Sequence, residues 1–299
     1  MSPVLALAGF GVGTIVGLTG MGGGALMTPV LVLFFGIPPL TAVSSDLVAS
    51  AVMKPFGSLV HIRRGTVNWS LVGWLCAGSV PSAFAGVLLL RAIGGDGGVQ
   101  HAIQSALGVA LLLAVVGIVV KAYRSSGAPA SDGATAALRV RPVPTVLLGA
   151  LGGLVVGLTS VGSGSLIIVV LLVLYPMLRA NDLVGTDLVQ AVPLVAAAAL
   201  GHVLFGDFHL DLSAAILVGS IPGVLLGARL SSRAPAGVVR AALVFVLLAS
   251  ALKLFGVPNL VVVVTLLGVA LAGAAAFAVR RAGAGSRDGS RTYAGTSSR

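Results

Sequence analysis

Charge is scarce in this chain. Only 9% of its 299 residues are Asp, Glu, Lys or Arg, with eight acidic residues against eighteen basic. An ordinary soluble domain is about one-quarter charged, so a conventional water-facing surface is excluded. Cysteine occurs once, at Cys76 within an apolar run, which rules out an internal disulfide and a thiolate metal cluster. The formal net charge is +10, yet the basic residues are scattered at the ends of apolar segments. They read as topology determinants, and no nucleic-acid partner is expected. Met1-Ser-Pro3 lacks a basic leader, so the apolar run after it reads as mature structure rather than a cleaved signal.

Apolar residues make up 57% of the chain, and mean hydropathy is +1.11. Apolar stretches run through Leu40–Val60, Ser70–Leu90, Ile103–Val120, Leu183–Phe205, Leu212–Leu230 and Leu260–Val279. Each is long enough to cross about 30 Å of hydrocarbon as a helix. The fold class is therefore an all-α polytopic membrane protein. The lipid bilayer is its first partner.

The chain also repeats itself. Gly17-Leu-Thr-Gly-Met-Gly-Gly-Gly24 is echoed by Gly157-Leu-Thr-Ser-Val-Gly-Ser-Gly164, an offset of 140 residues. Ser45-Asp-Leu-Val48 pairs with Thr186-Asp-Leu-Val189, His61 with His202, Gly65 with Gly206, and Gly78-Ser-Val-Pro81 with Gly219-Ser-Ile-Pro222. The offset there is 141, so one inserted residue accounts for the drift. A duplicated unit in an apolar chain marks a secondary transporter, with its site where the repeats meet.

Around each Gly-rich motif the apolar segments are short: 4–18 and 22–36, then 143–158 and 164–178. At about 15 residues each spans roughly 22 Å. Each pair reads as a broken or re-entrant helical hairpin with glycines at its tip, tilted full spans being the alternative. Either adds an even number of crossings. A hairpin plus three spans is odd, so the second copy is expected upside down. Charge agrees. Arg63 and Arg64 follow one long span, and Lys121, Arg124, Arg139 and Arg141 mark the long connection, all cytoplasmic by the positive-inside rule. The 91–99 and 205–209 connections are nearly neutral or free of Lys and Arg and belong outside, with Lys253 a mild dissenter.

The expected organisation is a first membrane repeat at 1–122, a cytoplasmic linker at 123–141 and a second repeat at 142–255. A final transmembrane helix at 256–281 and a disordered basic tail at 282–299 complete it. The protein is expected in the plasma membrane, N-terminus outside and C-terminus in the cytoplasm.

At these motifs the chain resembles the sulfite exporter TauE/SafE family of membrane transporters. Gly20-Met-Gly-Gly-Gly24 with Pro29, Ala42-Val-Ser-Ser-Asp46, Lys54, His61, Gly65 and Gly78-Ser-Val-Pro81 carry the likeness in the first half. Gly162-Ser-Gly164, Gly185-Thr-Asp187, Pro193, His202 and Gly219-Ser-Ile-Pro222 carry it in the second. The resemblance implies movement of sulfite or small organosulfur anions. Ser44-Ser45 stands where many relatives have Gly-Thr, and Val67-Asn-Trp69 where relatives often show Val-Asp-Trp.

The residues themselves offer three groups of candidates. At the tips, Thr19, Gly22, Gly23 and Gly24, with Thr159, Ser160, Ser163, Gly164 and Ser165, could present backbone N–H groups and hydroxyls to an oxyanion. The alternative is that these glycines only permit close packing. Asp46 and Asp187 could couple a proton or other cation to anion movement, or could be N-terminal helix caps. Lys54, two turns after Asp46, could attract the anion, and it breaks the symmetry because its counterpart is Val195. His61 and His202 could relay protons or anchor helix ends. Gln190 and Asn181 are weaker candidates. No metal motif and no cofactor are expected, and a homo-oligomer is left open. An anion channel is the alternative function. An intramembrane enzyme is weaker, because no nucleophile, base and orienting group recur together.

Overall fold

The computed structural model describes residues 3–19, 24–93, 96–125, 140–162, 164, 166–175, 178, 180–230 and 236–273. Its chain falls into two compact units, Met1–Phe255 and Gly256–Arg299. Among the described residues the first unit holds ten helices. These are α1 (Pro3–Thr19), α2 (Gly24–Phe35), α3 (Pro39–Arg63), α4 (Trp69–Ile93), α5 (Asp96–Ser125), α6 (Pro142–Thr159), α7 (Leu166–Leu174), α8 (Ala180–Phe205), α9 (Leu210–Leu230) and α10 (Ala236–Leu254). The described part of the second unit is an apolar helix at Asn259–Gly273.

At the second Gly-rich motif α6 ends at Thr159 and α7 starts at Leu166, with Ser160 in a left-handed conformation between them. Residues 20–23 of the first motif lie outside the described residues. With twelve and nine residues, α2 and α7 extend only about 18 and 14 Å, short of a bilayer crossing. Among the described residues six helices are long and apolar enough to span a membrane. One of them is α6, at 18 residues, whose own segment at 143–158 reads from the sequence as a short hairpin arm. The other departure is α3, which is 25 residues long but is not one of the six. It buries Thr41, Ser44, Ser45, Asp46, Ser50, Lys54 and Ser58, so its polar stripe lowers its hydropathy while pointing into the protein.

Helix packing follows small residues spaced four apart. The main neighbour of α1 is α9, and that of α4 is α6. A Cβ at Gly219, Gly223 or Gly227 would lie 1.8, 2.3 and 2.1 Å from the carbonyl oxygens of Ala6, Phe10 and Thr14. One at Gly149, Gly153 or Gly157 would lie 2.3 Å from those of Leu75, Ser79 and Ala83. Backbone therefore meets backbone, the close approach that small residues allow in membrane helices. Residue numbers rise together along both seams, so each pair of helices is parallel.

By contrast, α3 and α8 are antiparallel. Ser44 meets His202 near one end, while Gly185 abuts Thr66 and His61 at the other. The first end also gathers the connections around Leu40, Gln100 and Asp207, with Arg91 stacked 5.0 Å over the Phe205 ring. At the other end the Asn68 amide donates to Thr186 Oγ1.

The seams should tolerate no side chain. Gly223→Leu or Gly153→Leu should cost at least the about 1–3 kcal/mol of an overpacked core, because the obstructing atoms are backbone. Gly73→Leu, with nothing within 4 Å, should change stability by about 0.5 kcal/mol or less. Thermal melting of the detergent-purified variants checks this, and equal melting of all three would contradict the packing.

Candidate functional site

A buried carboxylate holds the two hairpins together. Asp46, 2% exposed, accepts hydrogen bonds at Oδ2 from Thr28 Oγ1 of α2 at 2.9 Å and from Ser160 Oγ at 2.7 Å. Ser160 follows α6 with φ of 60°, a left-handed conformation that turns its hydroxyl and carbonyl out of the helix. Gly24 opens α2 directly against this turn: a Cβ there would lie 1.9 Å from the Ser160 carbonyl oxygen. The expected tip residues Gly24 and Ser160 are thus brought together on Asp46. Thr159 turns its hydroxyl to Val155 O at 2.6 Å and exchanges hydrogen bonds with Val161. Gly164 has φ of 102°. Thr19 ends α1, while Gly22, Gly23, Ser163 and Ser165 lie outside the described residues.

The cap reading of the aspartates is corrected. Asp46 lies seven residues beyond the start of α3 at Pro39, and Asp187 seven beyond the start of α8 at Ala180. Both are helix-interior residues, where backbone N–H groups are already committed. In α3 the Pro38-Pro39 pair starts the helix instead, with proline at its first position and no side-chain cap.

Lys54 is buried on α3, within electrostatic reach of both carboxylates. Eight residues separate Asp46 from Lys54, about 12 Å along the helix axis. Because α8 runs antiparallel, Asp187 lies further towards the His61 end. The charges therefore form a file along the α3–α8 seam rather than one cluster. Gln190, one turn after Asp187, donates from Nε2 to Ser79 Oγ at 2.7 Å, and its backbone oxygen faces Cys76 Sγ at 3.9 Å. Its Oε1 and the Ser45 hydroxyl are buried without a hydrogen-bond partner among the described residues. Asn181 sits in the first turn of α8.

The two matching histidines close opposite ends of this file by different bonds. His61 Nδ1 meets Thr66 Oγ1 of its own following turn at 2.9 Å, with Gly185 of α8 pressed against that pair. His202, fully buried, reaches across to Ser44 of α3: Nδ1 to Oγ, 2.8 Å. A Cβ on Gly206 would sit 2.9 Å from both of those atoms. Ser44 and Gly185 are repeat counterparts, so hydroxyl and glycine have exchanged places between the two ends. One histidine bonds within its own repeat and the other between repeats.

The other ring nitrogen of His202, Nε2, faces the Gly157 carbonyl at 2.8 Å. A carbonyl only accepts, so that nitrogen carries a proton. The Ser44 hydroxyl also lies 2.8 Å from Leu40 O, and its single hydrogen serves either that carbonyl or His202 Nδ1.

Thr28 and Ser44 were not singled out from the sequence. Their repeat counterparts are Ile168 and Gly185, so a search for features common to both halves passes over them. The available signal was a hydroxyl before Pro29 in an otherwise apolar segment.

Comparison with known proteins gives this arrangement a family. The chain is 39% identical over 255 residues to "Probable membrane transporter protein YjnA" of Bacillus subtilis (strain 168), covering 85% of this chain and 100% of that protein. It is 26% identical over 241 residues to "Probable membrane transporter protein YdhB" of the same organism, covering 80% and 94%. A protein from Xylella fastidiosa (strain Temecula1 / ATCC 700964), also named "Probable membrane transporter protein", is 28% identical over 224 residues, or 74% and 82%. No solved structure matches. The profile of the family described as Sulfite exporter TauE/SafE matches residues 5–254, from within α1 to the end of α10. This multi-pass membrane protein belongs to the sulfite exporter TauE/SafE family of membrane transporters.

Proposed function

We propose that the chain is a secondary carrier of small anions, sulfite or organosulfur oxyanions, in the plasma membrane. The observation that carries this reading is the polar file on α3: Ser44, Asp46, Ser50, Lys54 and Ser58 are all buried in an otherwise apolar chain. Membrane proteins keep such groups inside for transport pathways or ion relays, since each is costly in hydrocarbon. The family supports the substrate class.

In this reading the two repeats are inverted. The antiparallel course of α3 and α8, which are repeat counterparts, supports inversion, as do the parallel seams of α1 with α9 and α4 with α6. The positive-inside pattern orients the N-terminus outside and the C-terminus in the cytoplasm. The hairpin tips, including Thr19, Gly22, Gly23 and Gly24 on one side and Thr159, Ser163, Gly164 and Ser165 on the other, supply hydrogen bonds to the anion, and Lys54 supplies charge, while the Ser160 hydroxyl is engaged on Asp46. Asp46 and Asp187 carry the coupling ion, with His61 and His202 opening and closing the two ends. Alternating access then follows from rocking of one repeat against the other.

Labelled sulfite accumulated by counterflow in proteoliposomes is the direct test. A carrier exchanges labelled for unlabelled substrate, whereas a channel dissipates the gradient without exchange. Cysteines at Arg64 and His209, each introduced on a Cys76→Ala background, should label from opposite membrane faces. Labelling of both from one face would contradict the inversion. Lys54→Met should destabilise the protein by about 3–5 kcal/mol, because a buried charge loses its partner. Adding Asp187→Asn to the same chain should recover most of that loss in thermal melting. No recovery would mean that the two charges do not act together.

A further inference from the structure

We infer that Asp46, Thr28 and Ser160 form a sodium-ion site. This inference rests on the carrier reading and names its coupling ion. Three oxygens from three separate elements converge: the Asp46 carboxylate of α3, the Thr28 hydroxyl of α2 and the Ser160 hydroxyl of the turn after α6. All three residues are buried, at 2%, 0% and 5% exposure.

The chemistry of this donor set selects a cation. Ser160 is the residue that ends α6, so the carboxylate lies at the helix's partially negative terminus. An anion there would be repelled twice. Both groups that bond Asp46 Oδ2 are neutral hydroxyls. The set selects a metal ion over a proton as well. Both hydroxyls that reach the carboxylate bring oxygens that a metal ion could also use. A proton requires one acceptor, whereas here two further oxygens are already in position. Rotating the two hydroxyl hydrogens away would turn lone pairs towards an ion without moving either side chain.

One carboxylate with neutral hydroxyls carries a single negative charge, which matches a monovalent ion better than calcium or magnesium. The hydroxyls already lie 2.7 and 2.9 Å from the carboxylate oxygen, a spacing that suits a small ion better than a large one. The site also ties an ion to conformation. Its ligands come from both hairpins, so an ion held there favours the arrangement in which α2 and the α6 turn stand together on α3. Backbone carbonyls at broken helix ends are recurrent ligands in such sites, and the Ser160 carbonyl lies at this one.

The test uses full-length purified carrier without sulfite, with sodium chloride titrated against potassium and choline chloride at constant ionic strength. Sodium should raise the melting temperature and radiolabelled sodium should bind, while potassium and choline should do neither. Thr28→Val keeps the shape of the side chain and removes its oxygen. Ser160→Gly removes the other hydroxyl at a backbone angle that glycine accepts. Each should raise the half-effective sodium concentration by roughly tenfold or more, the consequence of losing a bond to a charged group. Asp46→Asn should abolish the response.

Equal stabilisation by all three salts, an unchanged sodium response in Thr28→Val, or stabilisation that follows pH and not sodium would overturn the site. Sulfite counterflow separates this inference from the one beneath it. Full-rate counterflow in sodium-free medium overturns the sodium site and leaves the carrier intact. Absence of counterflow in every salt overturns the carrier reading, while sodium binding, measured without sulfite, is judged on its own.

Discussion

The cost of keeping charge out of water constrains this protein most. Asp46, Lys54 and Asp187 are buried in a chain that exposes many large apolar side chains. An ionised side chain in a low-dielectric interior is held only where opposite charge or oriented hydrogen bonds replace its hydration. The rest of the architecture can be followed from that demand. Hydroxyls on α2 and at the end of α6 are brought to Asp46. The lysine stands between two carboxylates on antiparallel helices. The turn after α6 carries Ser160 to the interior, and glycine seams let α1 meet α9 and α4 meet α6 closely enough to hold the frame.

Duplication supplied the frame, and divergence supplied the chemistry. The repeats keep Asp46 and Asp187, His61 and His202, and the glycine seams. They differ where function needs a direction. Lys54 faces Val195 in the comparison of copies, Thr28 faces Ile168, and Ser44 faces Gly185. Consequently Asp46 is served by hydroxyls from two other elements, and the buried Lys54 of α3 has no charged counterpart on α8. One histidine links α3 to α8, while the other bonds to its own loop. Two ends built from equivalent residues thus hold with unequal bonds.

Much of this was legible in the sequence, because membrane burial leaves long, strongly patterned signals. The long helices, the paired aspartates, the break between α6 and α7 at the second Gly-rich motif and the family all appear in the residues themselves. What stayed hidden depended on partners from distant segments. Asp46 and Asp187 resemble caps when read locally, because each follows a hydroxyl residue near the start of an apolar run, yet both helices begin a full seven residues earlier. Thr28 gains its meaning only from α3, and Ser44 only from α8. The polarity of α3 made it a weak span by composition, although its polar atoms face protein rather than lipid. Local hydropathy cannot tell those two surroundings apart.

In the proposed transport cycle the ground around Asp46 faces each side of the membrane in turn. Ser45 is the residue to probe it, being fully buried beside Asp46, with its hydroxyl outside any described hydrogen bond. Ser45→Cys on a Cys76→Ala chain can be exposed to a membrane-impermeant thiol reagent from either face of sealed vesicles. The account predicts that the cysteine reacts from both faces in separate experiments, and that saturating sulfite slows both reactions. A cysteine that neither reagent reaches during turnover, or that reacts from one face only under every condition, would contradict it.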